Sequence, residues 1–172
     1  MLRLVEAKDA NGMLEWMKDK EIMHSFRFNG EDMSLEKARQ FIEEAQILAE
    51  KGEAYHFAII NEAGEYLGTV SLKQVDYVSM NAEYAICLRK GAQGKGFAVE
   101  ATYDILNFAF DELKLNKVYL NVLSDNEKAI GLYKKIGFQY EGEWKKHLFL
   151  NGNFCNLLWY AILRDEYVNK RK

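Results

Sequence analysis

The stretch "RKGAQGKGFAVEA", residues 89–101, sets three glycines, two lysines and an arginine at the mouth of an apolar run with helical spacing. The residues before it, "NAEYAICL" (81–88), read as a strand. A strand that enters a helix through a glycine-rich turn leaves several backbone N–H groups unpaired and pointing one way, with the positive end of the helix dipole behind them. Gly94 and Gly96 can adopt positive φ and admit an anion close to the main chain, with Arg89, Lys90 and Lys95 supplying charge. The spacing is not that of a P-loop, because no Gly-Lys-Ser/Thr follows four free positions. The dinucleotide Gly-x-Gly-x-x-Gly pattern fails as well, since position 99 is Val. A ligand-free turn would use the same glycines, so the motif alone leaves two readings.

Working outward, "LRLVEA" reads as an opening strand, and Asp9 is placed to cap a helix running to about Lys20. Ser34 is placed to cap a longer helix on Leu35, Ala38, Ile42, Ala45 and Ala49 that ends at Gly52. From Tyr55 the period changes to strands, "YHFAII", "YLGTVSLKQV" and "NAEYAICL", an antiparallel meander. Helical spacing returns in "FAVEATYDILNFAFDEL", followed by a strand "KVYLNVL", a helix "NEKAIGLYKKI", and Gly137 as a left-handed stop. Asn151-Gly152 is a hairpin turn joining the last two strands. The pattern is a mixed α/β (α+β) fold with a meander first and a βαβα unit after it.

The 172 residues, 49% of them hydrophobic, suffice for one core, and no proline or low-complexity linker divides them, so one domain over 1–172 is expected. No apolar run is long enough to span a bilayer and no signal layout opens the chain, which points to a cytoplasmic protein with no membrane partner. A net charge of −3 disfavours a general nucleic-acid binder. Cys87 and Cys155 form no ligand cluster, and His24, His56 and His147 are scattered, so no metal is expected.

A second cluster follows the first by about 30 residues: Asn126 at a helix start and Tyr133 two turns on, in "NEKAIGLYKKIGF". Together the two clusters resemble the GNAT N-acetyltransferase superfamily, with Gln93-Gly94-Lys95-Gly96 in the first motif and Asn126, Ala129, Tyr133, Gly137 and Phe138 in the second. One position departs: the Gln or Arg that opens the first motif is Gly91, and Gln93 stands nearest to replace it. The resemblance implies a mixed, mostly antiparallel sheet of about seven strands whose fourth and fifth run parallel and splay apart, flanked by helices. It further implies acetyl-CoA as cosubstrate, with Ile86, Cys87 and Leu88 offering main-chain groups. Gln93, Gly94, Lys95, Gly96, Phe97 and Ala98 would then hold the pyrophosphate, and Asn126 and Lys135 would make further contacts.

Attack of a neutral amine on a thioester needs a group to take the amine proton and one to protonate the departing thiolate. Tyr133, protonated at neutral pH, is the candidate acid, unless it is a core tyrosine. Glu83 is the candidate base acting through water, unless it is a cross-strand partner facing solvent. The chain's ending resembles the branch holding ribosomal-protein N-terminal, spermidine and amino-sugar-nucleotide acetyltransferases. Phe26, Arg27 and Phe28 suit a nucleotide's base and phosphate, which favours an amino-sugar nucleotide. Seven acidic against three basic residues from Glu31 to Glu53 suit a polyamine instead. A module that binds acetyl-CoA without catalysis is the reading from outside enzymology. A homodimer would bury exposed aromatics such as Trp144 and Trp159.

Overall fold

The computed structural model describes residues 1–24 and 30–170. One seven-stranded sheet carries the chain: β1 (Leu2–Leu4), β2 (Tyr55–Ile60), β3 (Tyr66–Asp76), β4 (Asn81–Leu88), β5 (Lys117–Leu123), β6 (Gln139–Leu150) and β7 (Asn153–Leu163). Their order is β1-β2-β3-β4-β5-β7-β6, and β4–β5 is the sole parallel contact among the described residues. That contact is the crossover a βαβ connection builds, through α4 (Phe97–Asn107). It is followed by α5 (Glu127–Ile136) between β5 and β6.

Each face of the sheet has its own apolar cluster. On one face α1 (Ala10–Lys18), α2 (Lys20–Met23) and α3 (Leu35–Glu50) pack Met13, Trp16, Met23 and Ile42 against Val5 and Ala58. On the other, Ala101, Ile105, Leu106, Tyr133 and Ile136 of α4 and α5 meet Val70, Leu72, Tyr84, Val118 and Leu120. Burying side chains of this size is the main favourable term, about 1.5–3 kcal/mol each. A short α6 (Arg164–Lys170) closes the chain, its buried Tyr167 donating to Asn107 Oδ1 at 2.8 Å.

Ser34 Oγ accepts from Lys37 N at 3.2 Å and caps α3, Gly137 ends α5 at φ 117°, and Asn151 and Gly152 turn the β6–β7 hairpin at φ 51° and 82°. Asp9 departs from expectation. Its carboxylate forks onto the Arg3 guanidinium at 2.7 Å per bond and accepts Glu6 N, so it locks β1 to the turn behind it rather than capping α1. The single helix expected to reach about Lys20 is two, because Asp19 stops α1 and caps α2 through Glu21 N and Ile22 N. After Asn107, α4 widens into a π turn over Phe108–Glu112.

Candidate active site

β4 stays bonded to β3 as far as Leu88, and β5 stays bonded to β7 from Lys117 to Leu123. Between themselves β4 and β5 pair only where Asn81, Ala82 and Glu83 meet Lys117, Val118 and Tyr119. Beyond Glu83 the two strands follow different neighbours and the sheet splits. Arg89 N bonds Leu67 O at 2.8 Å, which fixes the alternation along β4: Glu83, Ala85 and Cys87 exchange main-chain bonds with β3, while Ile86 and Leu88 turn theirs to the split. Of the three residues expected to offer main-chain groups, Cys87 therefore does not. Its side chain packs against the cluster under α1, and burial raises its thiol pKa.

Gly94 (φ 76°) and Gly96 (φ 91°) hold left-handed conformations, and a Cβ on either would meet open space. Gly96 caps α4, accepting from Val99 N and Glu100 N, while the amides from Gly94 through Ala98 donate no hydrogen bond among the described residues. Five N–H groups in a row with a helix N-terminus behind them and unfilled space above form an anion cradle, the fit that a pyrophosphate requires.

The charges around the cradle are arranged differently from the sequence expectation. Arg89 turns to Glu15 (2.7 Å), Glu65 (3.3 Å) and Tyr66 O, and Lys90 pairs with Glu21 at 2.7 Å, because the first helices and the β2–β3 turn supply acids that no local pattern reveals. Glu15, Glu65, Arg89 and Lys90 line a cavity of about 380 Å³ between α1, α2 and the turn. Lys95 stays exposed beside the amides, with no ion pair among the described residues. Gln93 bridges the split's end, donating from Nε2 to Leu88 O (3.2 Å) and accepting Lys128 Nζ on Oε1 (2.7 Å). Asn126 spends its Oδ1 on capping α5 through Ala129 N, its amide nitrogen makes no hydrogen bond among the described residues, and Lys135 is exposed.

Tyr133 and Glu83 stand on opposite faces of the sheet at the split. The Tyr133 ring is 7% exposed, edge-on to Tyr84 and Phe138, and burial raises its phenol above its ordinary value, so it is protonated at neutral pH. Its hydroxyl has no hydrogen-bond partner among the described residues, unlike the buried Tyr66 and Tyr84, which bond Thr69 and Thr102. Glu83, side chain 15% exposed, accepts Lys73 Nζ at 3.0 Å and Asn121 Nδ2 at 3.2 Å. Lys73 and Asn121, both bonded to Glu83, were not singled out by the sequence reading. Each is polar at an alternate position of its strand, the one signal available, and only the strand register brings them together.

Phe26, Arg27 and Phe28, the basis for expecting an amino-sugar nucleotide, lie outside the described residues. Trp144 and Trp159, expected to bury each other across a subunit contact, pack together within one chain, 4.6 Å between centroids. The large exposed aromatics of the β6–β7 hairpin are Tyr140, Trp144, Phe149 and Phe154.

Residues 1–139 match the acetyltransferase (GNAT) domain, and the chain belongs to that family of N-acetyltransferases. Over 109 residues it is 38% identical to a spermidine N(1)-acetyltransferase of Escherichia coli K12, a match covering 63% of this chain and 59% of that relative's length. The spermidine N-acetyltransferase of Vibrio cholerae, solved in complex with CoA and spermine, superposes with a TM-score of 0.88 at 27% identity, over 98% of both chains. A dodecameric structure of the Vibrio cholerae enzyme gives 0.83 at 26% identity, covering 100% of this chain and 98% of that one. The mixed sheet with its splayed parallel pair is the GNAT fold.

Proposed function

We propose that residues 1–172 form one N-acetyltransferase domain that moves an acetyl group from acetyl-CoA to a primary amine, and that the acceptor is a linear polyamine. The observation that carries the transferase reading is the unpartnered Tyr133 hydroxyl on a buried ring, beside a split sheet that ends in a row of free amides. Acetyl-CoA supplies an activated acetyl thioester. The amides of Gly94 to Ala98, with Lys95, hold its pyrophosphate, and the main-chain groups of Ile86 and Leu88 take its pantetheine arm as an added strand. Gln93, Asn126 and Lys135 contribute at the rim. The Leu88 N–H is the donor for charge developing on the carbonyl oxygen, a contribution of about 3 kcal/mol.

Glu83 takes the proton from the attacking amine and Tyr133 gives one to the departing sulfur. Placing the two on opposite faces keeps the acid off the amine and the base off the thiol.

The polyamine acceptor draws support from the similar spermidine enzymes and from the acids of α3 and the turn before it. The amino-sugar alternative lacks a comparable observation among the described residues. The exposed aromatics of the β6–β7 hairpin suit a contact between copies, in keeping with the dodecameric Vibrio cholerae enzyme. Free-thiol release from acetyl-CoA, followed with spermidine, spermine, amino-sugar nucleotides and peptide N-termini, tests the acceptor. Turnover fastest on spermidine or spermine is expected. Faster turnover on another class would replace the polyamine, and CoA binding with no turnover on any amine would mark a sensing module instead.

A further inference from the structure

Glu83 is gripped on one oxygen only. Lys73 Nζ and Asn121 Nδ2 both bond Oε1, while Oε2 has no hydrogen-bond partner among the described residues. Lys73 sits directly across from Glu83 in the β3–β4 register, and Asn121 reaches over from β5 just past the last paired residue. The free oxygen thus lies at the point where the sheet opens, on the face away from Tyr133. We infer that Lys73 is a specificity-determining residue of the acceptor site: by neutralising Glu83 it makes the site take the reacting nitrogen as a neutral amine rather than as an ammonium. This rests on the acetyl-transfer reading above.

A primary alkyl amine has a pKa near the ~10.4 of lysine, so at neutral pH nearly all of it is charged and cannot attack. A lone carboxylate would bind that charged form and raise the amine's pKa further. With Lys73 at 3.0 Å, a second ammonium on Glu83 meets like charge across the same carboxylate, whereas a neutral amine still donates to Oε2. The other groups facing this cluster do not supply an unpaired cation: Lys117, two positions before Tyr119 on β5, is held by Glu141 at 2.7 Å. His56 on β2, near Lys73 and bonded to Ser71 Oγ, is lowered to about 4 by burial first and Lys73 second, and is neutral. Tyr119 on β5 is raised by burial and then by Glu83 and Asp76, and is neutral too, with Asp76 a negative neighbour at the far end of β3. Arg89 and Lys90 are paired on α1 and α2 and the β2–β3 turn.

Kinetics and calorimetric spermidine binding to the CoA-saturated protein, from about pH 6 to about pH 10, read the effect directly. For Lys73→Gln we expect spermidine to bind about tenfold tighter and kcat to fall about tenfold. The ascending limb of kcat should move up by about one pH unit, since a stabilised ammonium must lose its proton at higher pH. Lys73→Arg restores the wild-type limb. An unmoved or lowered limb in Lys73→Gln, or weaker amine binding with the limb in place as a purely structural lysine would give, overturns the inference. If the wild type ignores spermidine but acetylates another amine, the polyamine reading fails, and the same measurements with that amine decide the role of Lys73. No turnover on any amine overturns both.

Discussion

The two faces of the sheet at the split are built to opposite rules. Behind Tyr133, helices α4 and α5 close a dry cluster in which Ile105, Leu106, Val118 and Leu120 are at most 1% exposed. Around Glu83 the groups are charged or amide, drawn from β3, β4 and β5, and joined through a single carboxylate oxygen. An acid that must stay protonated gains from burial, whereas a base that must collect a proton from a soluble amine needs water and matched charge. The sheet keeps these environments apart by using alternate side chains of the same strands, even positions of β4 and β5 for one and odd positions for the other.

The sharpest way to break this contrast is Tyr133→Phe, expected to lower kcat by about 10³-fold with CoA affinity, measured by calorimetry, nearly unchanged. An unaltered rate would move the acid to another group. Next comes acid sensitivity seated under α3 on the Glu83 face. His56 is 7% exposed, and its pKa is lowered from 6.5 to about 4, so the unfolded chain binds a proton between those values that the folded chain refuses. Stability is therefore present above about pH 6.5 and lost as pH falls toward about 4, by up to about 3 kcal/mol, and His56→Gln should flatten the melting temperature across that window. A comparable effect belongs to the cradle. Gly94→Val should weaken CoA binding by about 10²-fold by filling the space above the amides, while Gly64→Val, at the similar φ of 77° and also in open space, carries the same strain without touching CoA affinity. Smallest is Asn121→Ala, which frees one hydrogen bond to Glu83 and should cost about tenfold in kcat with KM little changed.

The dry face was legible in the sequence because hydrophobic period and cap chemistry are local. Gly137 ends α5 in the left-handed conformation expected of it, and Ala101, Ile105, Leu106 and Ala109 are buried as their spacing requires. The resemblance supplied the parallel pair, and the structure limits it to three residues of pairing. The open face was not legible. Lys73 and Glu83 are ten positions apart and Asn121 is 38 beyond Glu83, and no single strand discloses which odd-numbered polar side chain faces which. Arg89 and Lys90 misled for the same reason, since their acids lie 74 and 69 positions away on α1 and α2. Asp9 has the composition of a helix cap, and a half-buried guanidinium from β1 outcompetes that local role.

A sheet that parts in its middle has two interior edges, each with main-chain groups ready to receive a passing peptide. Gln93, leaning from the turn onto the Leu88 carbonyl and steadied by Lys128, acts as a latch on one of them. Any strand-like guest must displace that amide, and a carrier that brings a diphosphate for the neighbouring cradle is compensated for doing so. An ordinary polypeptide lacks that compensation, which disfavours its adding to the edge at the gap.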